Sequence, residues 1–218
     1  REDGPLREML FPYRGNAVDA LHTSYMYEKI LVESLTRSES HVPYTILRLP
    51  VVFGPNDPQS RTWEYVSRMH EKREAILLGK KQASWKVTRG YVTDVARAVV
   101  ETAVKDDHQS HVFNVGEREP FEELEWVKKL AQAMNFEILT VDDDQMPDHL
   151  KEDFDWSQDL TINTDAIKEY LGYTNIVDID EALARTVEWQ INNPPGGKKN
   201  ESSEYELEDQ IIKGNRKV

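Results

Sequence analysis

Cysteine is absent from the 218 residues. Its absence excludes disulfide frameworks, zinc knuckles and thiol nucleophiles, and makes a reducing cytoplasm the expected compartment. No apolar run approaches the ~20 residues that a membrane-spanning helix needs, and no apolar h-region marks a secretory signal. Cations are scarce relative to anions: 27 Lys and Arg against 40 Asp and Glu give a formal net charge of −13. Nucleic acid is therefore not an expected partner, because backbone binding needs clustered Lys and Arg to release counterions. No Gly-x-Ser-x-Gly elbow supports a serine hydrolase. An initiator Met is also missing; the chain starts at Arg1, which leads us to expect part of a longer gene product.

What is present suffices for a sizeable core. Hydrophobic residues make up 39% of the chain, with nine Tyr and five Trp. That fits one globular domain, or the larger part of a two-domain protein. Residues 1–16 read as loop, and a helix is expected over 19–38, opened by Asp19 or Asn16. Two rows of apolar side chains, Leu21, Tyr25, Val32 and Leu35 beside Met26, Ile30 and Leu31, predict burial on more than one side of that helix. Residues 44–49 read as a short buried strand leading into a Gly/Pro/Asn turn. A helix over 61–73 would use Trp63, Val66 and Met69. Strands are expected at 75–78 and 84–92 around a turn at Gly79. The helix over 93–104 should bury Val95, Ala98, Val99 and Ala103, with Asp94 at its positive end. A strand at 112–116, a helix over 121–135, a strand at 136–141 and an acidic irregular stretch follow. Helices over 164–172, closed by Gly172 in the left-handed conformation, and over 179–192 complete the ordered part. The tail from Lys198 reads as polar and mobile, with one short helix suggested by the Ser203/Glu206 capping box. Strands alternating with helices define an α/β protein.

Chemistry is concentrated at Tyr25 and Lys29. Four residues apart on a helix, both project from one face. An ammonium beside a phenol stabilises phenolate and lowers the Tyr pKa from about 10 toward working pH. Such a phenol can move a proton to or from a substrate hydroxyl. Tyr27 is two residues from Lys29 and points elsewhere. His108 and His111, near Asp106 and Asp107, have the chemistry of metal ligands but sit in a polar connection, so no metal site is expected. Asp142, Asp143 and Asp144 lack the glycine and distal Glu of a calcium loop. The five Trp are explained by packing.

The order of landmarks is more specific than any one of them. Tyr25-x-x-x-Lys29 on a helix, the strand from Thr45 to Pro50, Phe53-Gly54-Pro55, Arg89-Gly90-Tyr91-Val92-Thr93-Asp94, Val112 to Gly116, Leu171-Gly172-Tyr173 and Ala182 to Trp189 together resemble the extended short-chain dehydrogenase/reductase family, in its NAD-dependent epimerase/dehydratase group. The resemblance covers residues 19 to 193. It implies the C-terminal part of a Rossmann-like doubly wound fold plus a smaller substrate-binding subdomain. Residues 1–55 would be the second half of the Rossmann-like domain, 56–92 a substrate segment, 93–120 a return to the sheet, 121–193 the substrate subdomain, and 194–218 the tail.

The resemblance also implies roles. Tyr25 would be the general acid/base, and Lys29 would hold the nicotinamide ribose and keep Tyr25 acidic. Pro50, Val51 and Val52 would line the nicotinamide pocket of NAD or NADP. Arg89 would anchor an anionic substrate group such as the diphosphate of a nucleotide-sugar; equally, it would be a structural partner of Asp94 or another acid. A homodimer paired through the 19–38 helix is implied as well. Against this, the family's Gly-x-x-Gly-x-x-Gly phosphate turn occurs nowhere in the chain, and the catalytic Ser or Thr is not identified, Thr23 and Ser24 being too near Tyr25. The expectation is a fragment of a nicotinamide-dependent epimerase, dehydratase or reductase, inactive alone. The alternative is a non-catalytic binding or scaffold protein.

Overall fold

β-Branched and apolar residues between turn residues make short strands here, and each strand finds a parallel partner far along the chain. The computed structural model describes residues 1–6, 8, 28–105, 108–132, 134–152, 154–196 and 202–216. Tyr25, Thr23 and Ser24, with the first part of the expected 19–38 helix, lie outside the described residues. The rest of that helix is α1, Lys29–Glu39, followed by β1, Thr45–Arg48, and β2, Val51–Phe53. Next come α2 (Trp63–His70), β3 (Ile76–Gly79), α3 (Lys80–Ser84), β4 (Arg89–Tyr91) and α4 (Val92–Val104). β5 (His111–Asn114), α5 (Glu123–Gln132) and β6 (Ile138–Val141) lead to α6 (Asp165–Leu171), α7 (Ile179–Asn192) and α8 (Ser202–Asn215).

Among the described residues the strands form three parallel pairs: β1 with β5, β2 with β4, and β3 with β6. Three apolar clusters sit against them. The largest joins α2, α5 and α7 to β2, β3 and β4 through Phe53, Val66, Leu78, Trp126, Leu130 and Leu183. A second packs Val95 and Ala98 of α4 against Phe113, Val115, Ile167 and Tyr173. A third groups Ala75, Leu77, Val141 and Met146 around Ile212. Gly172 closes α6 at φ 64°, the left-handed conformation expected of it. Gly90 is needed for proximity: a Cβ there would lie 2.8 Å from Pro50 Cγ and 2.7 Å from Val95 Cγ2.

Several expectations are corrected. Pro50, which lacks an amide hydrogen, ends one strand before the next begins, so the 44–53 segment is two strands that pair with different partners, and β1 is only half-buried. β3 and β4 do not flank a turn at Gly79. Helix α3 intervenes, and Asp143 accepts a hydrogen bond from the Lys81 amide at 3.1 Å, tying its first turn. Of the face assigned to α4, Val95 and Ala98 are buried while Val99 and Ala103 are exposed, because the second cluster covers only one side of the helix. α1 has no buried residue: Leu31, Val32 and Leu35 are 52%, 61% and 62% exposed, since no described element lies over those rows. The tail carries a 14-residue helix, α8, that buries Tyr205, Glu208 and Ile212.

Candidate active site

Pairing of β2 with β4 sets Val51 directly beside Arg89. Two groups expected to serve different ligands, cofactor and substrate, thus share one pair of strands. The Val51 amide donates to the Thr88 carbonyl at 3.2 Å, and the Val52 carbonyl accepts from Arg61 Nη1 at 3.1 Å. Pro50 precedes them, half-buried. Lys29 is exposed in the first turn of α1. Four residues on, Glu33 grips Arg48 at the end of β1 with two bonds of 2.9 and 2.8 Å, which hold its carboxyl below the usual range. The i,i+4 spacing puts Lys29 on the Glu33 face, one turn nearer the helix start.

Arg89 lies in a buried polar nest. It is 7% exposed, bonds Glu123 of α5, and stacks its guanidinium 4.1 Å from the Trp126 ring centroid. The acid that meets it is Glu123, not Asp94, whose carboxylate accepts from the Ile176 amide at 2.9 Å. Tyr65 donates to the other Glu123 oxygen at 3.0 Å, and Gln82 donates to the Tyr65 hydroxyl at 3.3 Å. Burial, with the Glu123 charge, pushes the Tyr65 phenol well above its ordinary pKa. Glu117, whose amide donates to the Arg89 carbonyl at 2.8 Å, has its carboxyl raised to about 7, chiefly by burial, with Arg89 lowering it and Asp94 raising it.

A cavity of about 200 Å³ opens over this nest, lined by Val51, Thr62, Arg89 and Trp126 and roofed by Trp85, Phe154 and Trp156. The three roof rings touch edge-on or tilted, with centroids 4.7–5.2 Å apart. Residue typing could not have found this roof, because Trp85 and Trp156 read as packing and Phe154 lies in a stretch read as acidic loop. Glu123 reads equally well as an acid at a helix start, and nothing local signals its partner 34 residues away.

Of Lys29, Pro50, Val51 and Val52, the residues expected at the nicotinamide end of a dinucleotide, Val51 lines this cavity and the other three do not. No glycine-rich turn fits the pyrophosphate. Among the described residues no group of three or more metal-binding side chains gathers. The His111 ring instead packs against Phe113 and Tyr170 at 5.3 and 4.4 Å, and Asp142 pairs with Lys80 at 2.6 Å. Among the described residues no helix is long and apolar enough to cross a membrane.

Residues 11–116 match the NAD dependent epimerase/dehydratase family. No curated protein matches the chain. Among solved structures, UDP-glucose 4-epimerase from Thermotoga maritima, crystallised with UDP-glucose, is 25% identical with TM-score 0.57; the match covers 77% of this chain and 52% of that one. dTDP-glucose 4,6-dehydratase from Bacillus anthracis, in complex with NAD, gives 18% identity and TM-score 0.61 over 88% of this chain and 56% of that one. RMD from Pseudomonas aeruginosa, complexed with NADPH, gives 13% and 0.57 over 78% and 55%. The mixed α/β fold with parallel strand pairs is the Rossmann-like fold of these proteins, and the chain spans about half of their length.

Proposed function

We propose that this chain, whose residues 11–116 match the NAD dependent epimerase/dehydratase family, forms the catalytic and substrate-binding part of a nicotinamide-dependent enzyme acting at a hydroxyl-bearing carbon. The observation that carries this reading is the Val51–Arg89 register, which sets the proposed cofactor wall against the floor of a cavity. NAD or NADP, when bound, supplies a ring that takes hydride from the carbinol carbon and can return it. Tyr25 takes the hydroxyl proton as that carbon is oxidised and gives it back on reduction. Lys29 holds Tyr25 acidic through its charge and donates to the ribose hydroxyls. Pro50, Val51 and Val52 exclude water on the cofactor side, and the cavity over Arg89 takes the substrate. Residues 1–55 and 93–120 serve the Rossmann-like half; 56–92 and 121–193 serve the substrate side. The working protein is a cytoplasmic homodimer paired through the 19–38 helix.

Tyr25→Phe in the full-length protein is the direct test. Turnover should fall by roughly a hundredfold or more, the usual weight of a general acid/base, with cofactor binding kept; turnover near wild type would reject the assignment. The missing phosphate turn favours one competing reading, a scaffold without chemistry. Calorimetry of the 218-residue chain separates the two in combination with that mutant. On our reading the chain alone binds NAD too weakly to saturate at micromolar concentration, while the full-length protein binds it and turns over.

A further inference from the structure

Helix α2 stands between two cavities. Thr62 and Tyr65 line the one over Arg89, whereas Trp63, Glu64, Ser67 and Arg68 line a larger one of about 730 Å³. Arg61, just before the helix, borders both. The tail closes the larger cavity with Pro195, Gly196 and, from α8, Glu204. We infer that this second cavity is a binding site for a small organic ammonium ion, with Glu64 as counter-ion and the Trp63 indole beneath the ligand's apolar part.

Charge along the wall decides the sign of the ligand. Arg61 is answered by Asp57 at 2.6 Å and Arg68 by Glu208 at 2.7 Å, while His149 Nε2 rests 2.8 Å from the same Glu208 oxygen. Glu64 has no such answer. Among the described residues its carboxylate makes no hydrogen bond and no ion pair; side chains engage only its backbone carbonyl, Arg68 Nη1 at 2.7 Å and Ser67 Oγ at 3.1 Å. The residue is half-buried, and burial raises its carboxyl above the ordinary range, with Arg68 lowering it and Glu152, Glu208 and Glu123 raising it further. Its oxygens are not sealed off as the unpartnered nitrogens of Arg89 and Trp126 are, so a ligand can reach them. The dipole at the start of α2 favours an acid in its first turn, but that acts equally on a solvated carboxylate and does not explain one drawn into a cavity wall. A desolvated carboxylate attracts a cation, gains less from an alcohol of the same shape and repels an anion. Trp63, Leu150, Pro58 and Pro195 supply the apolar lining for a carbon skeleton, and an indole is the best aromatic partner of a cation. The volume falls within the roughly 300–1,000 Å³ of small-molecule sites.

Calorimetry of the 218-residue chain with benzylamine, benzyl alcohol and benzoate varies the charge carried by one ring. Salt at about 150 mM KCl screens the diffuse field of the surface. Benzylammonium should saturate at millimolar concentration, about tenfold tighter than the alcohol, the low end of what a close charge pair contributes. Benzoate should not saturate. Glu64→Gln should bring ammonium and alcohol level. Gly196→Trp is a second variant that leaves the carboxylate alone: a Cβ at Gly196 meets nothing within 4 Å, so the backbone accepts the side chain there. Its indole narrows the cavity, and benzylammonium should bind about fivefold weaker or worse. If circular dichroism shows that Glu64→Gln does not fold, Gly196→Trp decides alone. Equal affinity for ammonium and alcohol in the wild type, saturable benzoate, or an ammonium affinity unchanged in a folded variant overturns the inference. The cavity is not the one assigned to the substrate, so this site can fail while the oxidoreductase reading stands, and the reverse.

Discussion

Glu117 has released its proton in the unfolded chain above its ordinary pKa of 4.5, whereas the folded protein keeps that proton up to about pH 7. Folding therefore binds a proton between those values. The stabilisation is complete below about pH 4.5, declines as pH rises to 7, and is flat beyond. At 1.36 kcal/mol per unit, the loss is on the order of 3 kcal/mol at most. Glu117→Gln should remove this slope and raise the melting temperature at pH 8 while leaving it nearly unchanged at pH 5. Thermal unfolding at the two values checks it, and an unaltered slope would place the proton elsewhere. The same residue shows a limit of reading side chains from sequence. It follows the Asn-Val-Gly landmark, yet only the fold reveals it behind Arg89. Arg89 itself was legible as a charged group of its segment, but which acid would meet it was not, because that depends on where the first residue of α5 comes to lie.

Periodic helices were the most legible elements. Ile179–Asn192 and the Gly172 stop follow from apolar spacing and a φ that only glycine adopts cheaply. α8 was only half legible. A short helix was expected there from a capping box at Ser203, but Ser203 lies inside the helix, which starts at Ser202; its docking rests on groups remote in sequence: Glu208 clasps Arg68 at 2.9 and 2.7 Å, His149 meets Glu208 at 2.8 Å, and Arg73 bonds Asp209 at 2.7 Å over the Tyr205 ring. The Arg68 and Glu208 side chains are 3% and 1% exposed. Glu208→Ala strands a buried guanidinium, and truncating one partner of such a pair typically costs about 3–5 kcal/mol. Urea unfolding should show that loss as a lower midpoint at unchanged slope. A loss below about 1 kcal/mol, the range of surface ion pairs, would mean that the clasp is solvated. The strands were the least legible. Their lengths are three or four residues, too short for alternation to fix partners, so β3 and β4 looked like neighbours when each pairs with another strand.

At the scale of the molecule, two of the described helices carry exposed apolar rows. Leu31, Val32 and Leu35 of α1, and Val99, Val100 and Val104 of α4, are all exposed. Isolated apolar side chains at a surface are ordinary, but rows of them on a helix mark a surface that binds something. The net charge of −13 opposes contact between copies. Self-association of the 218-residue chain should therefore strengthen with added salt, which screens that repulsion. Leu31→Glu combined with Leu35→Glu should suppress it. Sedimentation velocity at low and high ionic strength decides, and a species that stays monomeric in both would show that these rows attract no partner.

The three parallel pairs also govern how the chain must be made. Ile76 waits for Ile138 and Thr45 for His111, so a ribosome emitting this polypeptide releases each first strand well before its mate exists. In that interval Ile76, Leu77 and Leu78 are greasy and uncapped, and loop closure over such separations is slow. Yield in a cell should then depend on chaperone supply and translation speed more than on the stability of the finished product.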